Sequence, residues 1–143
     1  SIDGGSLLAV GRPRTLSLDQ VDSAGESATI WRRQASGEYE REGQFDAATD
    51  IMELSTGEQL TWGFGVALTS TYAAVSGYVD NAESGRNSLV ALYEYTDGVE
   101  WTRVHQRWSW RLTEYENEDP MNYGAKLALS SPPSFNGTVL LAV

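Results

Sequence analysis

Cysteine is absent from the 143 residues, and with it go disulfides, thiol nucleophiles, zinc–thiolate centres and iron–sulfur clusters. Lysine occurs once, at Lys126, and histidine once, at His105. A metal site built from several imidazoles is therefore excluded within one chain, and covalent lysine chemistry has a single candidate. No apolar run approaches the roughly 20 residues needed to span a bilayer as a helix, so no membrane span is expected. No basic-then-apolar segment opens the chain, and no leader is expected in it. The Gly-x-Ser-x-Gly elbow, a phosphate-cradling glycine loop with its lysine, and His-Glu-x-x-His are all missing.

Positive charge is also scarce. Twenty acids stand against 10 bases, a formal charge of -10. Such a surface repels a phosphate backbone at long range, so nucleic acid is not an expected partner. Apolar residues make up 41 % and aromatics 10 %, enough for a packed core, and the length suits one domain.

Period-two alternation dominates, and stretches with a 3.6-residue period are few. Short runs of Val, Leu, Thr, Trp and Tyr alternate with Gly, Asp, Asn and Ser clusters, the pattern of an all-β chain. Strands are expected at 7–11, 28–34, 38–45, 61–69, 72–77, 88–95, 100–109, 123–129 and 138–143. Ser36-Gly37 and Asp97-Gly98 read as hairpin turns. The stretch 47–59 is the one segment expected to form a short helix, and Pro132-Pro133 makes 130–137 a loop.

The chain repeats itself. Leu7-Leu8-Ala9-Val10 returns letter for letter as Leu140-Leu141-Ala142-Val143, and Tyr72-Ala73-Ala74-Val75-Ser76-Gly77 is a degenerate third copy. Phe64-Gly65-x-x-Leu68 matches Tyr123-Gly124-x-x-Leu127 at a spacing of 59, and Val21-Asp22-Ser23-Ala24 matches Val79-Asp80-Asn81-Ala82 at 58. Trp31, Tyr39, Arg41 and Gln44 recur as Tyr93, Trp101, Arg103 and Gln106, each 62 residues on. A period near 60 implies units that need neighbours to bury their faces. The division is one β-repeat domain over 1–143: a partial repeat at 1–60, a full one at 61–120 and a partial one at 121–143.

The order within a unit is aromatic-Gly-x-x-Leu, a small-apolar strand, an Asp/Asn/Gly-rich loop, an aromatic strand, a Gly hairpin and a Trp or Tyr strand. It resembles the FG-GAP repeat of integrin-alpha-like β-propellers over essentially the whole chain. The resemblance implies antiparallel four-stranded propeller-type blades, about two blades' worth of strands, with an Asp-rich loop that in some members holds calcium. On this map the first repeat lacks its opening strand and the third stops after two. Strand edges are then left unguarded by lysine. The chain is expected to be incomplete as a monomer: a piece of a longer propeller, or a subunit completed by its neighbours.

Candidate sites follow. Asp80, Asn81 and Glu83, with Asn87 beyond them and Asp19, Asp22 and Glu26 in the preceding unit, offer oxygen ligands for a calcium ion, although solvated turns explain them more simply. Calcium is the one cofactor considered. The acidic stretch Glu114, Glu116, Glu118 and Asp119 reads as a solvated connection. His105 lacks any recognisable catalytic partner. Trp101, Trp108 and Trp110 suit either core packing or a sugar platform, and on an unbulged strand Trp101 and Trp108 point to opposite faces. Asn136-Gly137-Thr138 is an N-glycosylation triplet. Ser130-Ser131-Pro132-Pro133-Ser134 resembles O-glycosylated surface segments. Thr138, Val139, Leu140, Leu141, Ala142 and Val143 form the expected assembly strand. The reading is a non-catalytic, extracellular or cell-surface structural or adhesive protein, a fibril-type subunit completed by strand exchange with copies of itself. The alternative is part of a closed propeller that binds a protein or carbohydrate ligand.

Overall fold

The structure, a computed structural model, describes residues 2–3, 6–17, 26–46, 58–81, 85–96, 100–109, 127–130 and 140–142. Among these residues eleven strands are formed: β1 (Ile2–Asp3), β2 (Leu7–Gly11), β3 (Arg14–Ser17), β4 (Glu26–Arg33), β5 (Tyr39–Asp46), β6 (Glu58–Leu68), β7 (Tyr72–Asn81), β8 (Gly85–Thr96), β9 (Glu100–Ser109), β10 (Ala128–Ser130) and β11 (Leu140–Ala142). They pair antiparallel in three open sheets. The first has the order β1-β2-β4-β5, the middle one β3-β6-β7-β8-β9, and the third is the pair β10-β11. No helix occurs among the described residues. Glu58 and Gln59, the end of the expected helix, already belong to β6, and the rest of that stretch lies outside the described residues.

The turn chemistry explains the joins. Gly37 at φ 91° closes the β4–β5 hairpin, where Gln34 N–H donates to the Glu38 carbonyl at 2.7 Å. Between β6 and β7 the Thr69 hydroxyl accepts from Tyr72 N–H at 2.9 Å, a side chain standing in for a backbone turn. Thr96 pairs with Glu100 on either side of Asp97-Gly98, whose own residues lie outside the described set.

Two strands were not legible in the alternation. Ile2 and Asp3 pair with Leu8 and Leu7, so a two-residue β1 occupies the edge where the first repeat's opening strand was expected to be missing. Arg14–Ser17 leaves the first sheet after Pro13 and pairs with Gln59–Trp62 at the edge of the middle sheet. Four residues are too few to show a period.

The middle sheet is packed on both faces. On one, Trp62, Val75, Ala91 and Tyr93 meet Leu7, Ala9, Ala28, Ile30 and Phe45 of the first sheet. Phe45 lies 4.1 Å from the Tyr93 ring and 6.3 Å, edge-on, from Trp101. On the other face, Ala67, Ala74 and Val90 carry Leu127 and Leu129, which lead into and along β10. This double burial accounts for strands apolar at successive positions, such as Ala73, Ala74 and Val75.

The first and middle sheets are the same structure twice. Leu8 opposes Trp31 and Val10 opposes Thr29 in the first; Ala73 opposes Tyr93 and Val75 opposes Ala91 at the equivalent places in the middle one. A bulge recurs as well. Ile30 and Trp31 oppose Gly43 and Arg41, leaving Glu42 over, while Leu92 and Tyr93 oppose His105 and Arg103, leaving Val104 over. Both extra residues sit 62 apart, like the rest of the repeat. The bulge also corrects the expectation for Trp101 and Trp108. They stand opposite Tyr95 and Leu89, two positions on one face, because the extra residue cancels their odd spacing. In the third sheet Leu129 opposes Leu141 as Leu68 opposes Ala73. The counterpart of Leu68 is therefore Leu129 and not Leu127. A slip of two residues keeps every side chain on its face, so the motif match tolerated it.

Gly77 is fixed by packing: a Cβ there would lie 2.3 Å from the Thr61 carbonyl oxygen and 2.7 Å from the Trp62 ring. Gly77→Ala should cost about 1–3 kcal/mol through displacement of β6 from β7. Chemical denaturation reads this as a lower midpoint at an unchanged slope, and an unaltered midpoint would contradict the packing described.

Candidate functional site

β2 and β4 carry apolar side chains on both faces. Leu7, Ala9, Ala28 and Ile30 face the middle sheet, so alternation sends Leu8, Val10, Thr29 and Trp31 outward. There they line a groove of about 490 Å³, with Arg12 and Tyr39 at its rim. Trp31 Nε1 donates to Thr29 Oγ1 at 3.0 Å, which satisfies the indole and leaves its ring as apolar surface. Val10 is 42 % and Tyr39 40 % exposed. These residues are the repeat counterparts of a buried ring and a partly buried one, since Trp31 and Tyr39 hold the places of Tyr93 and Trp101. In the middle sheet that aromatic pair is covered by Phe45. In the first sheet none of the described residues covers the same face. Among the described residues its lining carries no carboxylate and no imidazole and offers apolar and aromatic contact, with one guanidinium.

Charge collects instead at the seam between the first two sheets. Arg32 Nε donates to Glu42 Oε1, the residue displaced by the bulge, and the guanidinium carbon lies 5.6 Å over the Tyr95 ring. The Glu42 carboxylate raises the Arg32 pKa, against a smaller opposing effect of burial. Burial first, and the Glu42 carboxylate second, hold the Tyr95 phenol above its ordinary value. Tyr72 Oη donates to Glu94 Oε1 at 2.8 Å across β7–β8, which raises the Tyr72 pKa chiefly through that hydrogen bond. These pairs tie strands together.

The residues singled out in the sequence lie partly inside and partly outside the described set. Asp80 and Asn81 end β7, opposite Arg86 and Gly85, as strand and not as open loop. Glu83 lies outside the described residues, as do Asp19, Asp22, Asn136, Thr138, Val139, Val143, Trp110, Lys126, 131–137 and the acidic stretch 114–119. Glu26 opens β4 opposite Asp46, Asn87 stands in β8 opposite Val79, and His105 in β9 opposite Leu92. No group of three His, Asp or Glu side chains that could hold a metal ion occurs among the described residues. Trp101 packs on Phe45 and lies 5.1 Å from Tyr95, ring to ring, in the sheet interface. Leu140–Ala142 pairs with β10 of its own chain. The outer groove went unnoticed in the sequence, although its signal is present: a first sheet apolar on both faces requires something on each side.

Comparison with protein-family models, with curated proteins and with solved structures found no match to this chain. No helix among the described residues is long and apolar enough to cross a membrane.

Two outcomes test this description. On the reading that Asp80, Asn81 and Glu83 hold no ion, a chelator should leave the thermal midpoint unchanged. A downward shift of several degrees would restore the ion. Tyr72 and Tyr95 both have raised pKa values when folded, so their contribution is full below about pH 10 and is lost as pH rises through the folded values. Stability should fall as the solution is made more alkaline than pH 10, and Tyr72→Phe should flatten that fall. An equal slope in the variant would show that the Glu94 contact is not made.

Proposed function

We propose that this chain is a non-catalytic structural or adhesive protein that acts outside the cell by assembling with copies of itself, through sheets that are propeller-type blades stacked face to face. The observation that carries the reading is the repeated register. Two sheets share pairings and bulge, and each interface joins the same two kinds of face. A stack built this way is polar and ends in two unlike faces, one apolar and aromatic at Leu8, Val10 and Trp31, the other at Ala128 and Ser130. Unlike ends that match lead to head-to-tail association, in rings if the rotation closes and in fibres if it does not. The extracellular part rests on the Asn136-Gly137-Thr138 triplet and the serine–proline run before it. The FG-GAP resemblance adds the blade architecture.

A second reading, a blade segment of a closed propeller that binds a protein or carbohydrate ligand, is supported by the groove with its Trp31 and Tyr39 rings and Arg12. Solution mass, together with tryptophan emission compared between the native chain and Trp31→Phe, separates the two. On the assembly reading, light scattering across a concentration series gives multiples of the chain mass. Val10→Ser with Trp31→Ser then lowers assembly at least about tenfold, with only a small change in melting because both lie on the outer face. A monomer whose emission shifts on adding oligosaccharides would favour the binding module and overturn self-assembly.

A further inference from the structure

We propose, resting on the self-assembly reading, that β11 of one copy takes the place of β2 in the next. β10 and β11 of one chain then complete a four-stranded sheet with β4 and β5 of its neighbour. The sequences permit the exchange without loss, since Leu7–Val10 and Leu140–Val143 are identical. Leu141 would oppose Trp31 as Leu8 does, and Val143 would oppose Thr29 as Val10 does.

Pairing leaves both partners open to it. β7 is flanked by β6 and β8, and β2 by β1 and β4, whereas β11 has β10 as its single strand partner among the described residues. β2 is held on its outer edge by only the two residues of β1. An unpaired edge is a template for a further strand.

Geometry supplies the gain. β10 lies on the far face of the middle sheet, where Leu127 and Leu129 cover Ala67, Ala74 and Val90, with Leu92 half-buried beside them. Adding β4 and β5 beside β11 extends that cover across β8 and β9. Their outward face, Trp31 and Tyr39 included, would then be laid against the middle sheet's far face. In the first sheet the same face is the open groove; in the middle sheet its counterparts, Tyr93 and Trp101, already pack in this way. The exchange swaps equivalent strand pairings and buries aromatic surface on two sheets. It is heterologous, each copy giving β11 and receiving at β4, so assembly proceeds in one direction.

The chain has no cysteine, so single cysteines report contacts cleanly. Thr29→Cys chains mixed with Val143→Cys chains and oxidised should form disulfide-linked dimers about tenfold more than Ser36→Cys mixed with Val143→Cys, since cross-strand partners alone come within bonding reach. Proline at the two equivalent positions gives the second measurement. Leu141→Pro should abolish assembly, while Leu8→Pro, which frees β4, should preserve or increase it. Assembly without the Thr29–Val143 link, or persisting in Leu141→Pro, would overturn the exchange and leave self-assembly to another contact. A monomer at every concentration would remove both readings.

Discussion

The bulge shared by β5 and β9 governs the architecture. In an unbroken strand Tyr39, Arg41, Gly43 and Phe45 would all lie on one face. The extra residue Glu42 turns the first two outward, opposite Arg33 and Trp31, and the last two inward, opposite Ile30 and Ala28. Val104 does the same in β9, which brings Trp101 round onto Phe45. Each sheet thus acquires two distinct faces: one bearing an aromatic pair, the other bearing small and aliphatic side chains into which that pair fits. Gly43 belongs to the receiving face, where an added Cβ would stand 2.7 Å from the Trp101 ring.

Polarity of this kind decides how copies can add. Sheets with two equivalent faces stack in either sense and close as pairs. Sheets with a giving and a receiving face stack in one sense only, and the ends of a finite stack are unlike. The charged seam fits the same picture. Arg32 and Glu42 sit at the sheet junction with 37 % and 12 % of their side chains exposed, so the cost of desolvating the Glu42 carboxylate offsets the attraction and the pair's net value to stability is small. Placed beside Tyr95, the pair fixes which part of one sheet lies over which part of the next, while the Phe45, Tyr93 and Trp101 rings provide the burial.

Most of the architecture was legible in the sequence, and the reasons for the misses are physical. Alternation located β2 and β4 through β9 because each carries apolar or aromatic residues at every second position over part of its length. β1 and β3 are too short for any period to show. The spacing of 62 for Trp31, Tyr39, Arg41 and Gln44 holds because the bulge recurs with them; the bulge itself left no mark in the alternation, and so Trp101 and Trp108 were placed on opposite faces. The groove was hidden for a different reason. Leu8, Val10 and Trp31 look like core residues in a strand pattern, and in the repeat they occupy core positions. Only the stacking order tells that the first sheet has nothing on that side among the described residues. Asp80 and Asn81 misled in the opposite direction, since acidic and amide residues near a turn suggest a loop whereas here they extend a strand.

An identical four-residue strand at two places, one held by a two-residue neighbour and the other with a single partner, sets up a competition for β4 that assembly would resolve. Amide hydrogen exchange followed through assembly measures this directly, because β2 and β11 give separate peptides. The expected result is a reciprocal change: Leu7–Gly11 loses protection as copies associate, while Leu140–Ala142 gains it. Protection of β2 that stays constant or rises as the assembly grows would contradict strand replacement.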